Sequence, residues 1–227
     1  MVYITGDTHR DFERIYMFCD KLQTTKQDVM IILGDAGINY FGGDRDQEFK
    51  ELLSQLPITL FCIHGNHEIR PGTIYTYKTK LWHGGFVFYE DAYPNILFPD
   101  DGETFDINGK KCLVIGGAYS VDKFYRLKNG YHWFADEQPS DAIKAKVEAV
   151  VKGHDIDVVL SHTCPIKYEP TEVFLPGIDQ STVDKTTEQW LGELESRMDY
   201  QLWYCGHYHI NKRVDKMRFL FEDICEF

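Results

Sequence analysis

Five short blocks of the 227-residue sequence carry the side chains that could do chemistry. They are Gly6-Asp7-Thr8-His9, Gly34-Asp35-Ala36-Gly37, Gly65-Asn66-His67-Glu68, Ser161-His162 and Gly206-His207-Tyr208-His209. Together they offer two aspartates, an amide oxygen and several imidazoles, a mixture that suits Zn, Mn, Fe or Ni better than Ca or Mg. The blocks therefore predict a site for divalent transition metals.

Each block taken alone also has a simpler interpretation. A single Asp or His at the end of a strand is more often a helix cap or a hydrogen-bonded surface residue than a metal ligand. In Asp7-x-His9 and His207-x-His209, however, alternation along an extended segment would point both side chains the same way, as chelation requires. Five such coincidences in one chain favour the metal site.

The elements that must position these blocks are five predicted strands, each of which ends where a block begins. These strands are 2–5, 29–33, 58–63, 157–160 and 202–205, and helical spacing predicts helices at 11–22, 46–56, 141–152 and 182–197. The first part of the chain thus has the order βαβαβ, in which right-handed crossovers make the strands parallel. If all five strands share one sheet, the blocks meet at its carboxyl edge, where α/β sheets bind ligands.

The remaining segments predict a second sheet. Three short strands at 86–89, 104–107 and 112–115 are separated by turn signals, and we expect them to form this second, mixed or antiparallel sheet. The stretch 118–139 is predicted to be an aromatic-rich loop, and 213–227 to hold one or two strands. The predicted fold is α/β, a four-layer αββα sandwich of two mixed sheets flanked by helices, in a single domain over residues 1–227.

Composition excludes several classes of protein. The 24 Lys+Arg against 36 Asp+Glu give a net charge of −12, which disfavours non-specific nucleic-acid binding but leaves a local basic patch possible. The 43% hydrophobic content is enough for a full core, so disorder is not expected. No apolar run approaches the roughly 18 to 20 residues of a membrane span, and the N-terminus does not resemble a signal peptide. We expect a soluble cytoplasmic protein with reduced cysteines and no membrane partner; its oligomeric state is not indicated.

The order of the blocks resembles the calcineurin-like metallophosphoesterase superfamily, whose pattern runs D-x-H, G-D, G-N-H-[ED], a later H and then G-H-x-H. The resemblance extends from Asp7 to His209 with all five blocks intact. It implies a two-sheet α/β sandwich with two metals at the carboxyl ends of strands, in agreement with the residue-level interpretation.

The resemblance also implies roles for individual residues. The implied ligands of one metal are Asp7, His9, Asp35 and His209, and those of the other are Asp35, Asn66, His162 and His207, with Asp35 bridging. His67 matches the catalytic histidine that contacts the phosphate and protonates the leaving group.

The chemistry of such a centre favours hydrolysis of a phosphoester. Two divalent ions about 3.5 to 4 Å apart share a water and lower its pKa from about 15.7 towards 7, which makes a metal-bridging hydroxide available for in-line attack. Two ions bring a charge of +4 and two aspartates −2, and the positive surplus attracts phosphate. The prediction is a phosphatase or phosphodiesterase that uses Mn, Fe, Zn or Ni, with manganese as one candidate, on a phosphomonoester or small phosphodiester.

Arg10 and Arg126 are additional candidates for substrate binding. For Arg10 the simpler alternative is a salt bridge, and for Arg126 a loop that folds on its own aromatic residues. The phosphoprotein phosphatases have a pattern similar to G-D-x-V-D-R-G at the second block. Residues 34–40 of this chain lack the second Asp and the Arg of that pattern. A phosphoprotein phosphatase, a nuclease and a non-catalytic metal-binding scaffold remain alternative functions.

Overall fold

The computed structural model describes all 227 residues, which form five α-helices and thirteen strands. The helices are α1 (Glu13–Leu22), α2 (Asp44–Ser54), α3 (Lys123–Asn129), α4 (Asp141–Gly153) and α5 (Thr186–Glu195). The strands of the first sheet are β1 (Val2–Thr5), β2 (Val29–Ile32), β3 (Thr59–Cys62), β4 (Lys78–Trp82), β5 (Gly85–Tyr89), β6 (Ile96–Pro99) and β13 (Cys225–Glu226). Those of the second are β7 (Thr104–Ile107), β8 (Lys110–Ile115), β9 (Val158–Ser161), β10 (Leu202–Cys205), β11 (Lys212–Val214) and β12 (Met217–Phe219).

Both sheets are mixed, as predicted. The first has the order β13-β1-β2-β3-β6-β5-β4, and its adjacent strands β1, β2, β3 and β6 are parallel to one another. The second has the order β11-β12-β10-β9-β8-β7, with parallel strands from β12 to β8. Antiparallel strands flank the parallel centre of each sheet.

Three apolar clusters hold the layers together. The central cluster joins the sheets face to face, with Ile31 and Phe61 from the first sheet against Val114 and Leu160 from the second. Helices α1 and α2 cover the outer face of the first sheet. Helices α4 and α5 cover the outer face of the second. The αββα sandwich is therefore confirmed.

The prediction for the region between residues 73 and 117 is wrong in one respect. Strand β5 belongs to the first sheet, together with β4 and β6, which the sequence pattern did not predict. The cause is β6, which pairs in parallel with β3 and carries the β4–β5 hairpin with it. The hairpin turn is His83-Gly84, with φ of +46° and +90°. Positive φ at both positions is what a tight hairpin needs, but His-Gly is a weak turn signal.

Two shorter segments also differ from expectation. The predicted loop at 118–139 contains α3, and the tail contains three strands rather than one or two. The last of them, β13, lies beside β1 at the edge of the first sheet. No helix combines the length and apolar character needed to cross a bilayer.

A buried ion pair ties α2 to the end of β5. Lys50 is 1% exposed, and its Nζ lies 2.6 Å from Oε2 of the buried Glu90. We predict that Lys50→Met lowers the free energy of unfolding by about 3 kcal/mol, because it leaves the Glu90 charge buried without its cation. Urea unfolding measures this change. Lys78→Met, which breaks the exposed pair with Asp91, is the control and should cost less than about 1 kcal/mol. Equal losses in the two variants would contradict the prediction.

Candidate metal centre

All five blocks meet at one end of the two stacked sheets. Their strands belong to both sheets: β1, β2 and β3 to the first, β9 and β10 to the second. The five strands thus do not share one sheet, and the blocks converge because the parallel strands of both sheets end on the same side. Hydrogen bonds join the blocks directly. The N–H of His9 donates to the carbonyl of Asp35 at 2.8 Å, and Nδ1 of His162 lies 2.8 Å from the carbonyl oxygen of Leu33.

Two aspartates lie at the centre of this site, each only 1% exposed. One oxygen of each accepts a hydrogen bond from the backbone of another block: Asp7 Oδ1 from the N–H of His207 at 2.9 Å, and Asp35 Oδ1 from the N–H of His67 at 2.8 Å. Asp7 Oδ2 is buried and has no hydrogen-bond partner. Asp35 Oδ2 lies 3.6 Å from Nε2 of His162. Neither carboxylate has a lysine or arginine partner among the ion pairs of the chain.

Glycine allows the backbone to approach the carboxylates so closely. A Cβ at Gly206 would lie 2.2 Å from Asp7 Oδ1, and one at Gly65 would lie 2.0 Å from Asp35 Oδ1. Contacts that short are sterically impossible. Gly65 and Gly206 therefore make room for the aspartate of a different block.

The implied ligands of the first metal lie close together. Ligand atoms of Asp7, His9 and His209 fall within 4.8 Å of one another. Asp7 Oδ2 is 3.4 Å from His209 Nε2 and 3.7 Å from His9 Nε2. Asp35 Oδ2 lies 3.9 Å from His9 Nε2, so the fourth member of the predicted set is also present.

The implied ligands of the second metal also come together. Nε2 of His162 lies 2.8 Å from Oδ1 of Asn66 and 3.6 Å from Oδ2 of Asp35. The ring of His207 is 5.0 Å from that of His162. Ligand atoms of Asp7, Asp35 and His162 form another cluster within 4.8 Å, so the two sets share the space between the aspartates.

His67 lies at the edge of the same centre. Its ring packs edge-on against that of His9, with centroids 5.1 Å apart, and it lines the cavity that opens beside the site. Burial lowers the pKa of His67, although the negative charge of Asp35 opposes this. The ring therefore faces the cavity in surroundings where burial disfavours its charged form.

The local backbone differs from the extended segments that we expected. The φ angles are +46° at His9, +49° at Asp35, +67° at His207 and +50° at His209. These left-handed conformations cost on the order of 1 kcal/mol or more each for residues other than glycine. The side chains thus converge because of tight left-handed turns, not because of alternation along a strand.

The site is electrostatically prepared for cations. Burial alone would raise the pKa of Asp35, but the positive charge of His162 and then that of His67 bring it well below its usual value. Burial and the nearby charge of His162 lower the pKa of His207 to about 3. Burial would also lower the pKa of His162, but Asp35 and Asp7 raise it to about 9. The carboxyl group of Asp35 thus favours its ionised form, which is the form that binds a cation.

These features fit divalent metals. The Nδ1 of His162 is directed at the Leu33 carbonyl, so its Nε2 faces Asp35 and Asn66, the arrangement that orients a metal-binding histidine. The unpartnered Asp7 Oδ2 gives a buried acceptor without a donor, which a cation would satisfy. The donor set of carboxylate, amide and imidazole is the one that transition metals prefer.

A hydrogen-bonded chain fixes the orientation of Asn66. The Ser120 hydroxyl donates to Glu137, so it can only accept from Asn66, whose Nδ2 lies 2.9 Å away. Trp133 Nε1 also donates to Glu137 at 2.8 Å. The amide oxygen of Asn66 must then point towards His162. The aromatic-rich stretch 118–139 therefore supports the site from behind.

The two arginines occupy different surroundings. Arg10 Nη1 lies 2.8 Å from Asp46 Oδ1, which matches the salt-bridge alternative. Arg126 is 4% exposed, and its Nη2 lies 3.4 Å from the Tyr40 hydroxyl. Neither lines the cavity, and their proposed contact with substrate stays a prediction.

Sequence analysis missed Ser120, Glu137 and Glu188. Ser120 and Glu188 line the cavity, which measures about 360 Å³, and Glu137 lies behind Ser120. No local pattern marks them, because their partners lie in distant parts of the chain.

We predict that Ser120→Ala weakens the binding of a divalent metal such as Mn²⁺ by about tenfold or more, because outer partners of ligands typically contribute that much. Isothermal titration calorimetry of the metal-free protein measures the affinity. Ser196→Ala, which removes an exposed hydroxyl bonded only to the helix backbone, is the control. An unchanged affinity in Ser120→Ala would show that Asn66 does not need this support.

The family model of the calcineurin-like phosphoesterases matches residues 1–211. No curated protein gave a significant match. Among solved structures, the chain is similar to TT1561 of Thermus thermophilus, with 13% sequence identity, 90% of this chain and 80% of that chain covered, and a TM-score of 0.49. Since the family match spans nearly the whole chain and includes every block of the metal centre, the chain belongs to the calcineurin-like phosphoesterase family.

Proposed function

We propose that this chain is a hydrolase that cleaves a phosphomonoester or a small phosphodiester with two divalent metal ions. The observation that carries the proposal is the pair of buried, ionised aspartates whose second oxygens face imidazoles and no lysine or arginine. The proposed ligands are Asp7, His9, Asp35, Asn66, His162, His207 and His209. Bound ions would activate a water molecule as nucleophile and neutralise charge on the phosphoryl oxygens.

The charge of the ligand set favours a phosphate guest. Asp7 and Asp35 are its only anionic members, so two divalent cations leave a surplus of about two positive charges. Asn66 contributes an oxygen without cancelling any of that charge. With both ions bound, the local field would therefore be positive in a chain whose net charge is −12.

His67 is the proposed proton donor. Its backbone N–H is fixed by Asp35, and its ring faces the cavity beside His9. A phosphate group seated between the metals and His67 would bring its leaving oxygen near this imidazole. His67 then holds the proton that the departing alcohol needs.

The cavity supports a small substrate rather than a nucleic acid. No lysine or arginine lines it, so a phosphate backbone finds no basic groove there. The second block also lacks the arginine typical of phosphoprotein phosphatases. The scaffold alternative predicts metal binding without turnover, and the assay below separates the two.

The proposed function predicts metal-dependent turnover. Protein reconstituted with Mn²⁺, Fe²⁺, Zn²⁺ or Ni²⁺ should hydrolyse at least one member of a panel of phosphomonoesters, cyclic and linear diesters and phosphopeptides. Protein treated with a chelator is the control and should be inactive. If no substrate is hydrolysed by protein that holds its metal, the scaffold alternative is favoured instead.

Asp35→Asn should reduce turnover to below a few per cent of the wild-type rate, because it removes the charged ligand shared by both proposed metal sites. Steady-state kinetics measure the rate, and elemental analysis measures the metal content. Asp141→Asn, at the exposed start of α4, is the matched control. Substantial residual activity in Asp35→Asn would argue against the assigned centre.

A further inference from the structure

The cavity beside the metal centre is larger than a phosphate group alone requires. Its volume of about 360 Å³ lies within the range of roughly 300 to 1,000 Å³ that is typical of sites for small organic molecules. Residues of the centre, among them His9, His67 and His207, form only part of its lining. The rest of the cavity therefore has room for the organic part of a phosphate ester.

The segment between β9 and α5 supplies the apolar part of the lining, which we call the apolar wall. Its members are Val173, Phe174, Leu175, Ile178 and Val183. Phe174 stacks on Tyr208, with ring centroids 6.4 Å apart and ring planes 19° apart. Because Tyr208 lies between the proposed ligands His207 and His209 in the chain, the apolar wall begins directly beside the centre.

Ion pairs connect this segment to its surroundings. Lys185 Nζ lies 2.7 Å from Glu169 Oε2, so the two ends of the segment are joined. Glu172 pairs with Lys212 of β11. Together with the stacking on Tyr208, these contacts position the apolar wall beside the turn that follows β10.

The apolar wall leaves hydrophobic surface open to water. Leu175 is 58% exposed and Val173 is 38% exposed, although both line the cavity. Single exposed leucines are common and need no explanation. Five apolar side chains around one cavity, however, provide a surface that an apolar ligand covers favourably.

The charged side chains of the cavity outside the centre are all acidic. They are Asp122, Glu169, Asp184 and Glu188, and no lysine or arginine lines the cavity. A second anionic group on a substrate would therefore lie near carboxylates and would find no cationic side chain there. The lining thus favours an organic part that carries no negative charge.

We propose that the apolar wall binds the organic part of the phosphate ester and thereby determines substrate specificity. The preferred substrates are then phosphate esters of an apolar, uncharged alcohol or phenol. Esters that carry a carboxylate or a further phosphate are poor substrates. This inference rests on the proposed function, since it names the substrate class of the same site.

Binding of free phenols tests the apolar wall without metal or turnover. 4-Propylphenol and 3-(4-hydroxyphenyl)propanamide are both uncharged and share a phenol ring with a three-carbon chain, but only the first ends in an apolar group. NMR titration of the chelator-treated chain should show that 4-propylphenol binds about tenfold more tightly or better.

Leu175→Ser identifies where the phenol binds, and its exposed position makes loss of the fold unexpected. The variant should weaken binding of 4-propylphenol about fivefold, because it withdraws roughly 40 Å² of apolar contact. Leu52→Ser is the matched control, since Leu52 is 62% exposed on α2 and does not line the cavity. Its affinity for 4-propylphenol should equal that of the wild type.

Kinetics with Mn²⁺ give the second measurement, on the phosphate esters of 4-propylphenol and of 3-(4-hydroxyphenyl)propanoic acid. The ratio of kcat/KM for the first ester over the second should exceed about ten in the wild type and fall about fivefold in Leu175→Ser, mainly through KM.

The outcomes separate the inference from the proposed function. A wild type that binds 4-propylphenol no better than the amide overturns the inference, as do equal affinities of Leu175→Ser and Leu52→Ser for this phenol. Hydrolysis of both esters with equal kcat/KM also overturns it but leaves the proposed function intact. The expected binding results without hydrolysis of either ester support the apolar wall and count against the proposed function.

Discussion

The structure depends on the burial of two ionised aspartates next to each other. Removing a carboxylate from water is strongly unfavourable unless hydrogen bonds and opposite charge compensate. Here each aspartate receives one backbone N–H from a different block, and imidazoles surround the remaining oxygens. Because the compensating groups come from other blocks, the aspartates are stable only when the whole site is assembled. The site and the fold are therefore coupled at these two residues.

This coupling explains features that otherwise look unrelated. Gly65 and Gly206 are required because backbone must come within hydrogen-bond distance of a carboxylate. The left-handed conformations of His9, Asp35 and His207 are tolerated because hydrogen bonds between blocks hold them. Sheet stacking matters for the same reason, since His162 arrives from the second sheet and bonds to the carbonyl that follows β2 in the first. Local strain is concentrated where several elements meet, as expected of a functional site.

Sequence alone predicted the layers, because these depend on local signals such as apolar runs. The order of polar blocks after the strands also predicted which residues come together at one end of the sheets. Sequence alone did not predict which strands complete the first sheet or which residues support the site from outside. The parallel pairing of β6 with β3 is a long-range event, and His83-Gly84 is a weak turn signal, so β5 was assigned to the wrong sheet. The convergence of the blocks would follow from a single shared sheet, whereas the structure brings the blocks together from two. Ser120 and Glu188 were not predicted, because their hydrogen-bond partners lie far away in the sequence and no local spacing marks them.

The cavity beside the centre is lined by acidic and apolar side chains and by no lysine or arginine. If the proposed metals bind, their charge exceeds that of Asp7 and Asp35, and the positive charge that holds a phosphate then comes from the ions rather than from lysine or arginine. The ring of His67 faces the same cavity beside His9, so a phosphate held at the ions would lie next to this imidazole. The charge that attracts the substrate would therefore also position the bond to be cleaved.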